Sequence, residues 1–201
     1  MKTAPMIVTS DGIGMSEALA MTEQVGKTCG LDQKSNLHLR LLGEELFGML
    51  RGIAGKIEAE YWIDYSEKNM ELHMKSEIQA TPQMKEQFLA ASTSGKNDAA
   101  RGFMGKVRVM IAGFLLSAKE AIPNSMVGAA AVLAGSGYDS LSAGGWSMVH
   151  YKEELKKHAK DGQAESEAWD ELEKSIVANI ADDVKVKIVG KTAEIVVIKA
   201  F

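Results

Sequence analysis

Residues 58–75 read EAEYWIDYSEKNMELHMK, and the period of this stretch decides the fold. Ala59, Tyr61, Ile63 and Tyr65 share one face at a spacing of two, as do Met70, Leu72 and Met74. That spacing belongs to strands with one buried face. Ser66-Glu67-Lys68-Asn69 between them is polar and turn-forming, so the two strands make a hairpin.

Upstream the period changes from two to three and four. Leu39, Leu42, Leu46, Met49, Leu50 and Ile53 form one apolar stripe, which predicts a helix over residues 32–55. A second helix is expected over residues 16–29, with Ser16 as its cap and Gly30 as its stop, after a short strand at residues 6–10. Downstream, Leu172, Ile176, Val177 and Ile180 predict a helix over residues 169–181 that ends at Asp182-Asp183. Alternation over residues 184–189 and 193–198 around Gly190-Lys191 then predicts a second hairpin. The order of elements predicts the α+β class: a two-layer sandwich with a mixed, mostly antiparallel sheet and helices on one face.

The middle of the chain differs in composition. It holds Pro82, Pro123, a polar run at residues 92–98, apolar runs at 109–116 and 127–134, and a glycine-rich run at 135–145. Each apolar run is well short of the ~20 residues that span a bilayer. The expected organisation is one domain, with core residues 1–80 and 166–201. A mainly helical insertion or lid occupies about 81–165 and ends in the charged helix at 151–160.

Composition narrows the function. In 201 residues, 46% apolar and 25% charged, there is material for one globular domain. A net charge of −4 offers no broad basic field for a phosphate backbone, so nucleic acid is not an expected partner. Cys29 is the single cysteine, which excludes an intramolecular disulfide and a cysteine-cluster zinc site. The first ten residues contain no long apolar segment, so no secretory signal is expected and the cytoplasm is the expected location.

Two stretches then carry a resemblance. LRLLGEELFGML at residues 39–50 and WDELEKSIVANIADDVKVKIVGKTAEIVVIKAF at 169–201 resemble the Glu-bearing helix and the closing helix and hairpin of the histidine-kinase-like ATPase (GHKL) superfamily. Within it, the branch of bacterial anti-sigma factors and serine kinases is the most similar. The resemblance covers roughly residues 6–80 and 166–201. It implies ATP and Mg²⁺ as cofactors, a sigma-factor-like or other regulatory protein as partner, and a helix motif E-x-x-x-N. There the Glu orients the attacking water and the Asn, on the same helix face one turn later, coordinates Mg²⁺.

Helix geometry assigns the two carboxylates different roles. At about 100° per residue, Glu44 falls almost opposite the apolar stripe and Glu45 on its flank, so Glu45 is the candidate catalytic base. Four residues beyond Glu45 stands Met49, and four beyond Glu44 stands Gly48. A thioether is a poor ligand for a cation that demands oxygen, and glycine has no side chain.

The family's adenine-binding D-x-G-x-G falls where this chain has Lys75-Ser76-Glu77-Ile78-Gln79-Ala80-Thr81, which leaves Glu77 as the substitute acceptor. The family's phosphate-binding glycines have a displaced substitute in Gly102 and Gly105, and a second in the glycines of 135–145. Asp11-Gly12-Ile13-Gly14 reads as a turn. Ser94-Gly95-Lys96 lacks the first glycine of a P-loop, and the four histidines have no paired ligand spacing, so no metal site is expected.

The resulting expectation is a regulatory protein on a histidine-kinase-like ATPase scaffold, catalytically degenerate and acting through protein–protein interaction, in which Met49, Glu77, Gly102 and Gly105 line the old nucleotide site. The alternative is an active ATP-binding anti-sigma factor or serine kinase with Glu45 as base. A third reading gives the insertion a membrane-surface or oligomerisation role.

Overall fold

The computed structural model describes residues 1–51, 56–78, 81–83, 85–86, 102–117, 145–158, 169–170 and 172–201. The elements are β1 (Met6–Thr9), α1 (Met15–Thr28), α2 (Gln33–Arg51), β2 (Glu58–Tyr65), β3 (Asn69–Glu77) and α3 (Gly102–Ser117). They continue with β4 (Trp146–Ser147), α4 (Met148–His158), α5 (Ile176–Ile180), β5 (Asp183–Val189) and β6 (Thr192–Ala200). This is an α+β fold around one open six-stranded sheet of order β1-β2-β3-β6-β5-β4. Every pairing among these strands is antiparallel.

Both expected hairpins are present. Alternation buries Ala59, Tyr61 and Ile63 on β2, Met70, Leu72 and Met74 on β3, Val184, Val186 and Ile188 on β5, and Ala193, Ile195 and Val197 on β6. The two hairpins join at the centre of the sheet, where β3 and β6 pair from Asn69↔Ala200 to Glu77↔Thr192. Against the buried face lie α1 and α2, whose Ala18, Val25, Leu39, Leu42, Leu46, Phe47, Met49 and Leu50 complete one apolar cluster. Phe47 meets Tyr61 edge-on at 4.9 Å. The opposite sheet face carries the alternate residues, most of them exposed or half-buried.

Local chemistry sets the helix ends. Gly30, at φ 73°, closes α1: Leu31 N–H reaches Gly26 O and Gly30 N–H reaches Lys27 O, both at 3.0 Å, the paired bonds of a Schellman stop. Asp32 caps α2, its Oδ1 accepting from Ser35 N–H at 2.7 Å. Residues 52–55, the expected end of that helix, lie outside the described residues.

The start of α1 corrects the sequence reading. Ser16 is an exposed residue inside the helix, and the cap position is Gly14 at φ 76°, with no side-chain cap bond. The chain leaves β1 through a tight turn at Gly12 and Gly14, held by Thr9, whose N–H donates to Ile13 O and whose Oγ1 accepts from Ile13 N–H. Asp11-Gly12-Ile13-Gly14 is accordingly turn, and it starts the helix one residue early.

Two further departures occur downstream. The helix expected over 169–181 breaks at Ser175, whose side chain accepts from Ala178 N–H and starts α5 afresh. Serine offers the backbone this local alternative to a continuous helix. In the middle, where a mainly helical insertion is expected, β4 adds a short edge strand, pairing Trp146 with Val186 and Ser147 with Lys185. Two residues are too few to show a period. The described part of this middle also buries Phe103, Val107, Met110, Ile111, Trp146, Tyr151 and Leu155 in the same apolar cluster as the flanking segments. No helix of the described residues is long and apolar enough to cross a membrane.

Candidate functional site

The carboxylate that the helix geometry singles out sits on α2 between solvent and core. Its neighbour Glu44 is exposed and accepts from Arg40 Nε at 2.8 Å, while Arg40 Nη1 holds Glu23 of α1. Glu44 is therefore one member of a surface ion-pair chain linking the two helices. Glu45 is half-buried, and among the described residues it has no hydrogen-bond or ion-pair partner. Burial, and secondarily the charge of Glu44, raises its carboxyl above the ordinary value.

One turn on from Glu45, Met49 is 1% exposed and belongs to the apolar core. Around it lie Phe47, Leu46 and Leu50, all buried. Mg²⁺ takes oxygen ligands in a near-octahedral shell. The donor set offered here is one carboxylate and one buried thioether, and it does not fit Mg-ATP. Among the described residues no group of three His, Cys, Asp or Glu side chains can hold a metal ion.

The other expected site residues lie elsewhere. Glu77 is the last residue of β3, and alternation from buried Met74 and Ser76 sends its exposed side chain to the sheet face away from α2. Glu45 and Glu77 therefore stand on opposite sides of the sheet. Glu77 lines a groove of about 470 Å³ with Ile7, Lys56, Glu58, Glu60, Lys75 and Thr192. Gly102 and Gly105 occupy the first turn of α3 as helical residues, Gly105 buried. The second displaced substitute, the glycine-rich run, lies outside the described residues over 135–144, as do residues 159–168 ahead of the closing helix.

The sequence reading missed a polar cluster on the open sheet face. His73 brings Nδ1 to 3.2 Å from Glu194, and Nε2 to 3.3 Å from Asp64 and 3.4 Å from Glu71. Its ring stacks on Trp62 at 4.8 Å and 10°, and Lys2 Nζ lies 4.5 Å from the centre of the same indole. Three strands converge there because β6 pairs with β3. No local spacing in the sequence announces that pairing.

Comparison with protein-family models, with curated proteins and with solved structures found no match for this chain.

Proposed function

We propose that this chain is a regulatory protein on a histidine-kinase-like ATPase scaffold, a two-layer sandwich with residues of about 81–165 as its insertion or lid, and that it acts by binding another protein. Support for the scaffold comes from the order of elements: strand, helix, Glu-bearing helix, hairpin, and a closing helix and hairpin. The observation that carries the non-catalytic reading is Met49. It fills the core one turn beyond Glu45, where a nucleotide-hydrolysing site needs an oxygen ligand.

One observation favours the second reading, an active ATP-dependent serine kinase or anti-sigma factor. Glu45 is half-buried, has no partner among the described residues, and has its carboxyl raised above the ordinary value by burial, which are properties of a general base. Calorimetric titration with Mg-ATP decides between the two. The regulatory reading expects no binding and no thermal stabilisation at millimolar nucleotide, because a ligand that binds only the native state must raise its stability. Tight Mg-ATP binding that disappears in Glu45→Gln overturns it in favour of the second.

A further inference from the structure

The open sheet face carries one row of charges with an unusual symmetry. Read across the sheet through the strand register, the row is Glu60 on β2, Lys75 on β3, Glu194 on β6 and Lys187 on β5. The boundary between β3 and β6 divides it into Glu-Lys and Glu-Lys, so each position and its mirror position across that boundary carry opposite charges. Glu60, Lys75 and Lys187 have no ion pair or hydrogen bond among the described residues.

We propose that this face binds a second copy of the same chain about a two-fold axis running along the strands at the β3–β6 boundary. Such an axis lays β2 of one copy over β5 of the other and β3 over β6. Glu60 then meets Lys187 of the second copy and Lys75 meets Glu194, each contact occurring twice, as an isologous interface requires. The next row sets Trp62 over Lys185 and His73 over Val196.

At the far end, Asp64 falls over Asp183. The Asp183 carboxylate is occupied by Ser147 Oγ and the Val149 and Val184 N–H groups. In addition, the ~30° angle between packed sheets carries the end rows apart.

Four strands about 4.8 Å apart and eight residues at about 3.3 Å each give a footprint of roughly 500 Å² per copy, within the range of weak, transient interfaces. The dimer is therefore weak, and salt weakens it further by screening the charged row.

Sedimentation from micromolar to millimolar concentration tests this with two exposed single variants. Wild type is expected to dimerise, more weakly at high salt. Glu60→Lys alone and Lys187→Glu alone each place like charges at both symmetric contacts, and each is expected to weaken self-association about tenfold or more. Mixed in equal amounts they regain dimerisation, because a Glu60→Lys copy against a Lys187→Glu copy has opposite charges at both contacts, one in the wild-type sense and one reversed. Circular dichroism verifies that each variant is folded. Wild type remaining monomeric throughout, single variants that dimerise like wild type, or a mixture no more associated than its parts would each overturn the proposal.

Discussion

Thr22 Oγ1 lies 2.8 Å from Tyr61 Oη within the apolar core, and the same Thr22 hydroxyl donates to the Ala18 carbonyl at 2.8 Å. Because the Thr22 proton is committed to Ala18, Tyr61 is the donor in the bond that ties α1 to β2. The two partners are therefore not equivalent. Tyr61→Phe leaves Thr22 with its own donated bond and is expected to cost about 1 kcal/mol, whereas Thr22→Val leaves a buried phenol without an acceptor and is expected to cost about 2 kcal/mol. Urea unfolding of both variants and the double variant measures this order. A larger loss for Tyr61→Phe contradicts the donor assignment.

The same phenol sets an alkaline limit. Tyr61 is fully buried, and burial raises its pKa above the ordinary value. Above pH about 10 an unfolded tyrosine releases its proton while the folded one keeps it. The native state then binds more protons than the unfolded state, so the stability of unfolding falls as pH rises. Wild type is expected to lose stability between about pH 10 and 12 more steeply than Tyr61→Phe, as read from urea midpoints. Parallel curves for the two proteins would show that Tyr61 has no part in the loss.

Glu45 gives a second pH dependence, of smaller size. Its raised carboxyl means that the charged form is disfavoured in the folded protein. Wild-type stability is therefore full below the unfolded carboxyl pKa and declines as pH rises through the folded value. Glu45→Gln removes that decline and is expected to stabilise at neutral pH by about 0.5 kcal/mol or less, since solvent screens a carboxylate this exposed. The gain should vanish in acid, where wild-type Glu45 is neutral. Denaturation midpoints at two pH values check this, and a loss of stability at neutral pH would instead reveal a favourable partner for the charge.

Both hairpins and the α2 stripe were legible because their period lies in consecutive residues. The separation of Glu44 from Glu45 was legible for the same reason, about 100° per residue being enough to send one to solvent and the other to the flank. The β3–β6 pairing was not, since residues 78–191 lie between the two strands and no local pattern selects the partner. Without that pairing the His73 cluster could not be assembled on paper. β4 was hidden by its length. The case of Glu77 differs: the alternation that revealed β3 also places Glu77 away from α2, but resemblance to a family located it by order along the chain and not by face.

The glycines at two α1 boundaries share a left-handed backbone but differ in room. Gly14 has φ 76° and a Cβ there would stand 2.1 Å from Ile7 O, a backbone atom in β1. Gly30 has φ 73° and open space within 4 Å. Gly30→Ala is expected to cost about 1 kcal/mol, the left-handed penalty alone. Gly14→Ala adds a backbone collision that only a shift of β1 against α1 relieves, and about 3 kcal/mol or more is expected. Thermal unfolding of the two variants compares them directly; equal losses would mean that the turn at Gly14 yields without disturbing β1.

Ser175 supplies the last test, because its role decides whether the closing segment is one helix or two. Its Oγ accepts from Ala178 N–H at 3.2 Å, and its own N–H reaches Leu172 O at 3.1 Å, so the residue ends one helical piece and caps the next. The break is also held from outside: Lys152 Nζ on α4 donates to Ala178 O at 2.8 Å, and Asn179 Nδ2 donates to Glu173 O at 2.7 Å across the bend. Ser175→Ala removes the cap but leaves both of these bonds, so the bend persists and about 1 kcal/mol of stability is lost. Far-UV circular dichroism should show no gain in helix. A gain, together with unchanged stability, would mean that alanine has joined the two pieces and that the serine alone kept them apart.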